Sequence, residues 1–205
     1  MMRFLICFTV TLYTLLFNAQ SLPWEAHIVQ RANANTILTP FNKNISHSVY
    51  ILGLTIPSAY IIKGLLSRDS IAIGRAWRMG LAGAGNIAIT YLLKESIKRQ
   101  RPFETYAEIH AYDNLAHGYS MPSGHSATAF NVASSLSLEF PKWYIIIPTY
   151  AYATWVAYSR LQLGVHYPSD VFMGALTGTS IAWLSKKMQS RWLGHVQTKN
   201  KKENK

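Results

Sequence analysis

The chain has 205 residues, 49% of them hydrophobic, 13% aromatic and only 14% charged, with 20 Lys and Arg against 9 Asp and Glu for a net charge of +11. The length suits one domain with a real core, and a charged fraction below the soluble norm of about one quarter leans toward membrane residence. A single cysteine excludes a disulfide framework, and a basic excess gathered at the C-terminal end and near the ends of apolar segments argues against a nucleic-acid partner.

Residues 1–20 read as a secretory signal: Arg3 supplies the positive start, Phe4 to Phe17 the apolar core, and Asn18-Ala19-Gln20 a cleavage region. The alternative is an uncleaved first transmembrane helix. Cys7 lies within this segment, so a processed chain has no thiol. Residues 21–46 are mixed and polar and read as an exported loop or surface-lying segment, with no role for His27 or His47. Residues 21–195 form the expected domain and 196–205 a basic tail, charged and disordered from Lys199 to Lys205.

Five apolar segments follow: Ser48 to Leu66, Ile71 to Leu93, Ser126 to Phe140, Trp143 to Tyr158 and Val171 to Leu184. The expected fold is therefore all-α, a helical bundle that spans the membrane about five times after the signal, or six times if that segment stays. Ser126 to Phe140 is short and rich in Ser and Ala, as suits a helix shielded from lipid by its neighbours. Arg68, Arg75, Arg78 and Lys142 mark the cytoplasmic turns by the positive-inside rule.

Alternating spans then bring three polar islands to one exported face. The first is Lys94 to Pro102, where Lys94, Lys98 and Arg101 at i, i+4, i+7 fall on one helical face that Pro102 ends. The second is Pro122-Ser123-Gly124-His125, a helix start whose free N–H groups suit an anion. The third runs from Ser159-Arg160 through His166 to Asp170. There a carboxylate four residues on can hold one imidazole nitrogen and free the other. Read singly, the first island fits a snorkelling basic cap as well as a phosphate grip, whereas the second fits a plain helix cap and the third a surface His–Asp pair better than a catalytic role. The loop 103–121 joins the first two and shapes access for substrate.

In their order, Lys-x6-Arg-Pro, Pro-Ser-Gly-His and Ser-Arg-x5-His-x3-Asp closely resemble the signature of the type 2 phosphatidic acid phosphatase (PAP2) superfamily, which also holds class A acid phosphatases and vanadium haloperoxidases. The resemblance implies that His166 is a nucleophile forming a phosphohistidine, oriented by Asp170, while His125 protonates the leaving alcohol and later helps activate water. It implies that Lys94, Arg101 and Arg160 hold the phosphate oxygens, with Ser123 and the Gly124 N–H completing the cradle. No metal and no cofactor is expected, since fixed cations take that part. The implied substrate is a phosphorylated membrane lipid, such as phosphatidic acid, phosphatidylglycerol phosphate, a polyprenyl pyrophosphate or a lipid A phosphate. The implied setting is a bacterial inner membrane with the site facing the periplasm. A soluble periplasmic acid phosphatase, a haloperoxidase and a binding protein with a vestigial site remain alternatives, and the oligomeric state is not legible.

Overall fold

A computed structural model describes residues 23–113 and 116–203, with side chains from 24 to 189. The expected signal segment lies outside the described residues. Among them the chain is all-helical: α1 (Pro23–Asn33), α2 (Thr39–Leu66), α3 (Ser70–Ile97), α4 (Pro102–Thr105), α5 (Gly124–Glu139), α6 (Trp143–Gln162) and α7 (Pro168–Glu203).

Local chemistry sets the helix starts. The Asp69 carboxylate caps α3 by accepting from the N–H groups of Ile71 at 2.9 Å and Ala72 at 3.1 Å. The Ser123 hydroxyl caps α5 in the same way, accepting from Ser126 N–H at 3.4 Å. Several expectations change here. Residues 23–33 are helical rather than loop, because Glu25, Ala26, Val29 and Asn33 form a buried face. The C-terminal tail stays helical to Glu203, since Lys, Gln and Glu are good helix formers and no proline intervenes. The α3 helix closes at Lys98 in the left-handed conformation, with φ 52°, and Pro102 opens α4 instead of ending α3. That break turns Lys98 away to solvent and brings Arg99 and Arg101 inward, so the expected i, i+4, i+7 cationic face does not form.

The bundle is polar inside and apolar outside. Arg78, Asn42, Asn86, Asn131, Ser134 and Ser135 are buried, while Leu54, Ile62, Trp77, Leu81, Phe172 and Trp183 are exposed. Among the described residues, α2 alone is both long and apolar enough to cross a membrane, with mean hydropathy 1.6 over 18 residues of which 11% are buried. The other long helices miss that standard because their inward faces carry the polar residues that pack the bundle.

Helix α5 sits at the centre, against α2, α3, α6 and α7. Its pairing with α7 is the closest: a Cβ at Gly174 would meet the Ser123 carbonyl at 2.5 Å, and one at Gly178 would strike the Ala127 carbonyl. The Gly174-x3-Gly178 spacing places both glycines on one face and lets the two backbones touch. Opposite the site, Glu139 gathers Arg75 at 3.0 Å, Arg78 at 2.7 Å and Lys186 at 2.6 Å. These charges stand at the far end of α5, about 22 Å from Gly124 at 1.5 Å per residue.

Gly178→Ala is therefore expected to part α5 from α7 and to destabilise the bundle by about 3 kcal/mol, the upper range for overpacking. Gly83→Ala, where an added Cβ meets nothing within 4 Å, is expected to be neutral. Thermal unfolding in detergent compares the two.

Candidate active site

The site begins with a buried carboxylate. Asp170, in the first turn of α7, is fully buried, and its Oδ1 accepts from Arg99 Nη1 at 2.7 Å. Its Oδ2 accepts from the Tyr167 N–H at 2.8 Å and from the Ser120 hydroxyl, and lies 3.5 Å from His166 Nδ1. The carbonyl of Asp170 accepts from Ser123 N–H at 3.0 Å, which ties the start of α7 to the start of α5.

His166 stands in the turn between α6 and α7, 2% exposed. With Nδ1 toward a carboxylate, its Nε2 faces Arg101 Nη1 at 3.4 Å. A guanidinium only donates, so these partners assign the proton to Nδ1 and the lone pair to Nε2. Burial, then the charges of Arg101, Lys94 and Arg160, push the imidazole well below its ordinary pKa, so it stays neutral.

Those three cations converge from three elements. Lys94 Nζ, in the last turn of α3, donates to the carbonyl of Tyr119 and to that of Ser120 at 3.3 Å. Arg101 donates to the carbonyls of Val165 at 2.9 Å, His117 at 2.8 Å and Gly118 at 2.8 Å. Carbonyls orient these groups without cancelling their charge, so the cluster is poised for an anion. Arg160 differs, since its Nη1 meets Asp113 Oδ2 at 2.8 Å and Ser46 Oγ at 2.7 Å.

Gly124 and His125 open α5 beside α2. The Tyr50 hydroxyl lies 3.4 Å from His125 Nδ1, and the two rings meet edge-on with centroids 4.7 Å apart. The Ser123 oxygen also accepts from the Ser126 hydroxyl at 3.1 Å. Both of its contacts use lone pairs and spare its own proton for a ligand. All eight site residues expected from the sequence thus lie in one connected cluster.

The sequence reading missed Arg99, Asp113, Ser120, Tyr50 and His47. His47 is not incidental: its Nε2 is 3.3 Å from Asp113 Oδ1, and its ring centroid is 6.0 Å from that of His125. The ligand-type atoms of His47, Asp113 and His125 all lie within 4.8 Å of one another. A cation there would compete with Arg160 for Asp113, so the surrounding charge favours an anion instead. Only Arg99 lay in a motif island, adjacent to Lys98; the others carry no local signal.

Tyr50 also lines an apolar groove of about 350 Å³ between α2, α3 and α5, with Gly53, Leu54, Gly80, Gly83 and Ile87 along it. An added Cβ at Gly80 or Gly83 meets nothing within 4 Å, so these glycines leave space rather than permit helix contact.

A sequence profile described as the PAP2 superfamily matches residues 75–193. The undecaprenyl-diphosphatase of Sulfolobus acidocaldarius is 33% identical over 120 residues, covering 57% of this chain and 58% of that protein. This chain therefore spans less than two thirds of that relative. The crystal structure of Aquifex aeolicus LpxE superposes with a TM-score of 0.67 at 26% identity, covering 82% of this chain and 98% of that one. A transmembrane PAP2-type phosphatidylglycerolphosphate phosphatase from Bacillus subtilis shares the fold, with a TM-score of 0.66 at 22% identity over 89% of this chain and 94% of that one.

A neutral buried His166 fixes the sign of one pH effect. The unfolded chain protonates this imidazole near pH 6.5 whereas the folded chain does not, so the unfolded state binds more protons below that pH. The stability is full above about pH 6.5 and is lost as pH falls toward the depressed folded value, at up to roughly 1.4 kcal/mol per unit. In phosphate-free buffer, the wild type should lose melting temperature between pH 6.5 and 5 more steeply than His166→Gln.

Proposed function

The chain belongs to the PAP2 superfamily, and from that premise we propose that it is a metal-independent phosphatase of membrane lipid phosphates or pyrophosphates, working through a phosphohistidine. The observation that carries this reading is the joining of an anion-ready cation cluster to an apolar groove at Tyr50. One end suits a phosphate and the other a hydrocarbon chain.

In the first step the His166 Nε2 lone pair attacks phosphorus. An N–P bond forms, the P–O bond to the lipid alcohol breaks, and His125 gives that oxygen a proton. The Nδ1–H stays directed at Asp170, which steadies the positive charge gained by the ring. In the second step water attacks phosphorus, His125 takes its proton, and the N–P bond breaks to release phosphate. Lys94, Arg101 and Arg160 offset charge on the nonbridging oxygens in both steps, with Ser123 and the Gly124 N–H beside them.

The same reading places residues 21–195 as the catalytic domain, preceded by a signal or first span and followed by a basic tail. The enzyme resides in a bacterial inner membrane. The exposed Leu, Ile and Trp side chains around the bundle support a lipid-facing surface. Arg68, Arg75, Arg78 and Lys142, all at the end away from His166, support a cytoplasmic inner end and a periplasmic site.

The test is phosphate release by detergent-purified protein in EDTA, from a lipid phosphate and from a small soluble phosphoester. Lipid preference, abolished by His166→Ala, is the expected result. Preference for the soluble ester would favour an acid phosphatase, and activity lost in EDTA and restored by Mg²⁺ would overturn the metal-free mechanism. Gly83→Leu should fill the groove without unfolding the bundle. If two chain methylenes lose their contacts at about 0.8 kcal/mol each, KM for a long-chain substrate rises by about tenfold. The short soluble ester should be turned over unchanged.

A further inference from the structure

Helix α1 lies outside the residues 75–193 that the family profile covers, yet it reaches the centre of the site. Glu25 is 2% exposed. Its Oε2 accepts from Arg99 Nη2 at 2.7 Å, and its Oε1 accepts from the Ser169 N–H at 2.8 Å. Arg99 spends its other arm on Asp170 Oδ1 at 2.7 Å and on Ser169 Oγ at 2.6 Å, and its guanidinium lies 4.0 Å from the Tyr167 ring centroid. A continuous buried line therefore runs from Glu25 through Arg99 and Asp170 to His166.

The helix that delivers Glu25 is itself fixed. Asn33, at its other end, donates to the carbonyls of His110 at 2.8 Å and Gln162 at 2.9 Å, and accepts from the His110 N–H at 2.8 Å. These bonds tie α1 to the access loop and to the end of α6, just before His166.

The charges along the line give Glu25 its part. Arg99 paired with Asp170 alone sums to zero, which would leave His166 facing a neutral pair. The nucleophile must become positive when it bonds to phosphorus, beside three cations that oppose that charge. A second carboxylate on Arg99 restores a net charge of −1 to the Glu25–Arg99–Asp170 group. It also holds the guanidinium so that Asp170 keeps its orientation.

We infer that Glu25 is a positioning residue of the reaction: through Arg99 it keeps the charge and orientation of Asp170 that support His166. This rests on the phosphohistidine reading above. The test uses the full chain in detergent with EDTA and dioctanoyl phosphatidic acid, comparing wild type, His166→Ala, Glu25→Gln and Glu25→Asp. The expected result for Glu25→Gln is a kcat lower by about tenfold or more with KM within about twofold, the pattern of support lost in the transition state alone. Glu25→Asp should recover part of that loss.

An active wild type with unchanged kcat in Glu25→Gln would overturn the inference and leave the phosphatase reading intact. So would kcat and melting temperature falling together without rescue by Glu25→Asp. Should Glu25→Gln not fold, Glu25→Asp against wild type decides: kcat and KM both unchanged overturns the inference, and a lower kcat at constant KM upholds it. A wild type with no phosphatase activity would instead remove the phosphatase reading itself.

Discussion

The carboxylate of Asp170 is the constraint on which the rest of this molecule depends. It is fully buried, and a buried anion is tolerated only when paired and hydrogen-bonded. Its donors come from separate parts of the chain: Arg99 after α3, Ser120 from the loop before α5, and Tyr167 from the turn before α7. Satisfying one charge thus draws three connections to a single point. His166, which lies between them, inherits its orientation from that demand.

The second organising fact is the inversion of polarity across the bundle. A soluble four- or five-helix domain hides Leu and Ile and shows Asn and Arg; here Arg78, Asn86 and Asn131 are inside and Ile62, Leu81 and Trp183 outside. Such a surface needs an apolar solvent, and such an interior needs its own hydrogen bonds. Asn131 donates to the Gly178 carbonyl at 3.0 Å, and Ser134 pairs with the Tyr150 hydroxyl at 2.9 Å. Interhelical polar contacts and close glycine packing then do the work that hydrophobic burial does in water.

Much of this was legible in the sequence, for physical reasons. The apolar segments set the number of long helices, and the short Ser- and Ala-rich segment identified α5 as the shielded one because small side chains suit an interior crossing. The eight motif residues cluster as their order suggested. What stayed hidden depends on tertiary closure. His47 meets Asp113 across 66 residues, Ser46 and Asp113 meet on Arg160, and no local pattern announces such pairings. Lys98 misled because helical periodicity assumes an unbroken helix, and one left-handed residue there exchanges it for Arg99. Residues 23–33 read as polar loop because the buried face of α1 includes Glu25 and Asn33, polar groups whose partners lie far away in sequence. The Gly174-x3-Gly178 pair was available to direct reading and marks the closest helix contact.

That glycine contact has a mechanical consequence. Ser123 and His125 ride on α5, Asp170 rides on α7, and the backbones of the two helices touch where the glycines lie. The pair behaves as one stiff plank, with its polar ends fixed to each other. A bilayer that grows thicker or thinner acts on helices mainly by changing their tilt. Such a plank tilts as a body, so the spacing between His125 and Asp170 is insulated from the thickness of the surrounding lipid and is preserved as membrane composition drifts.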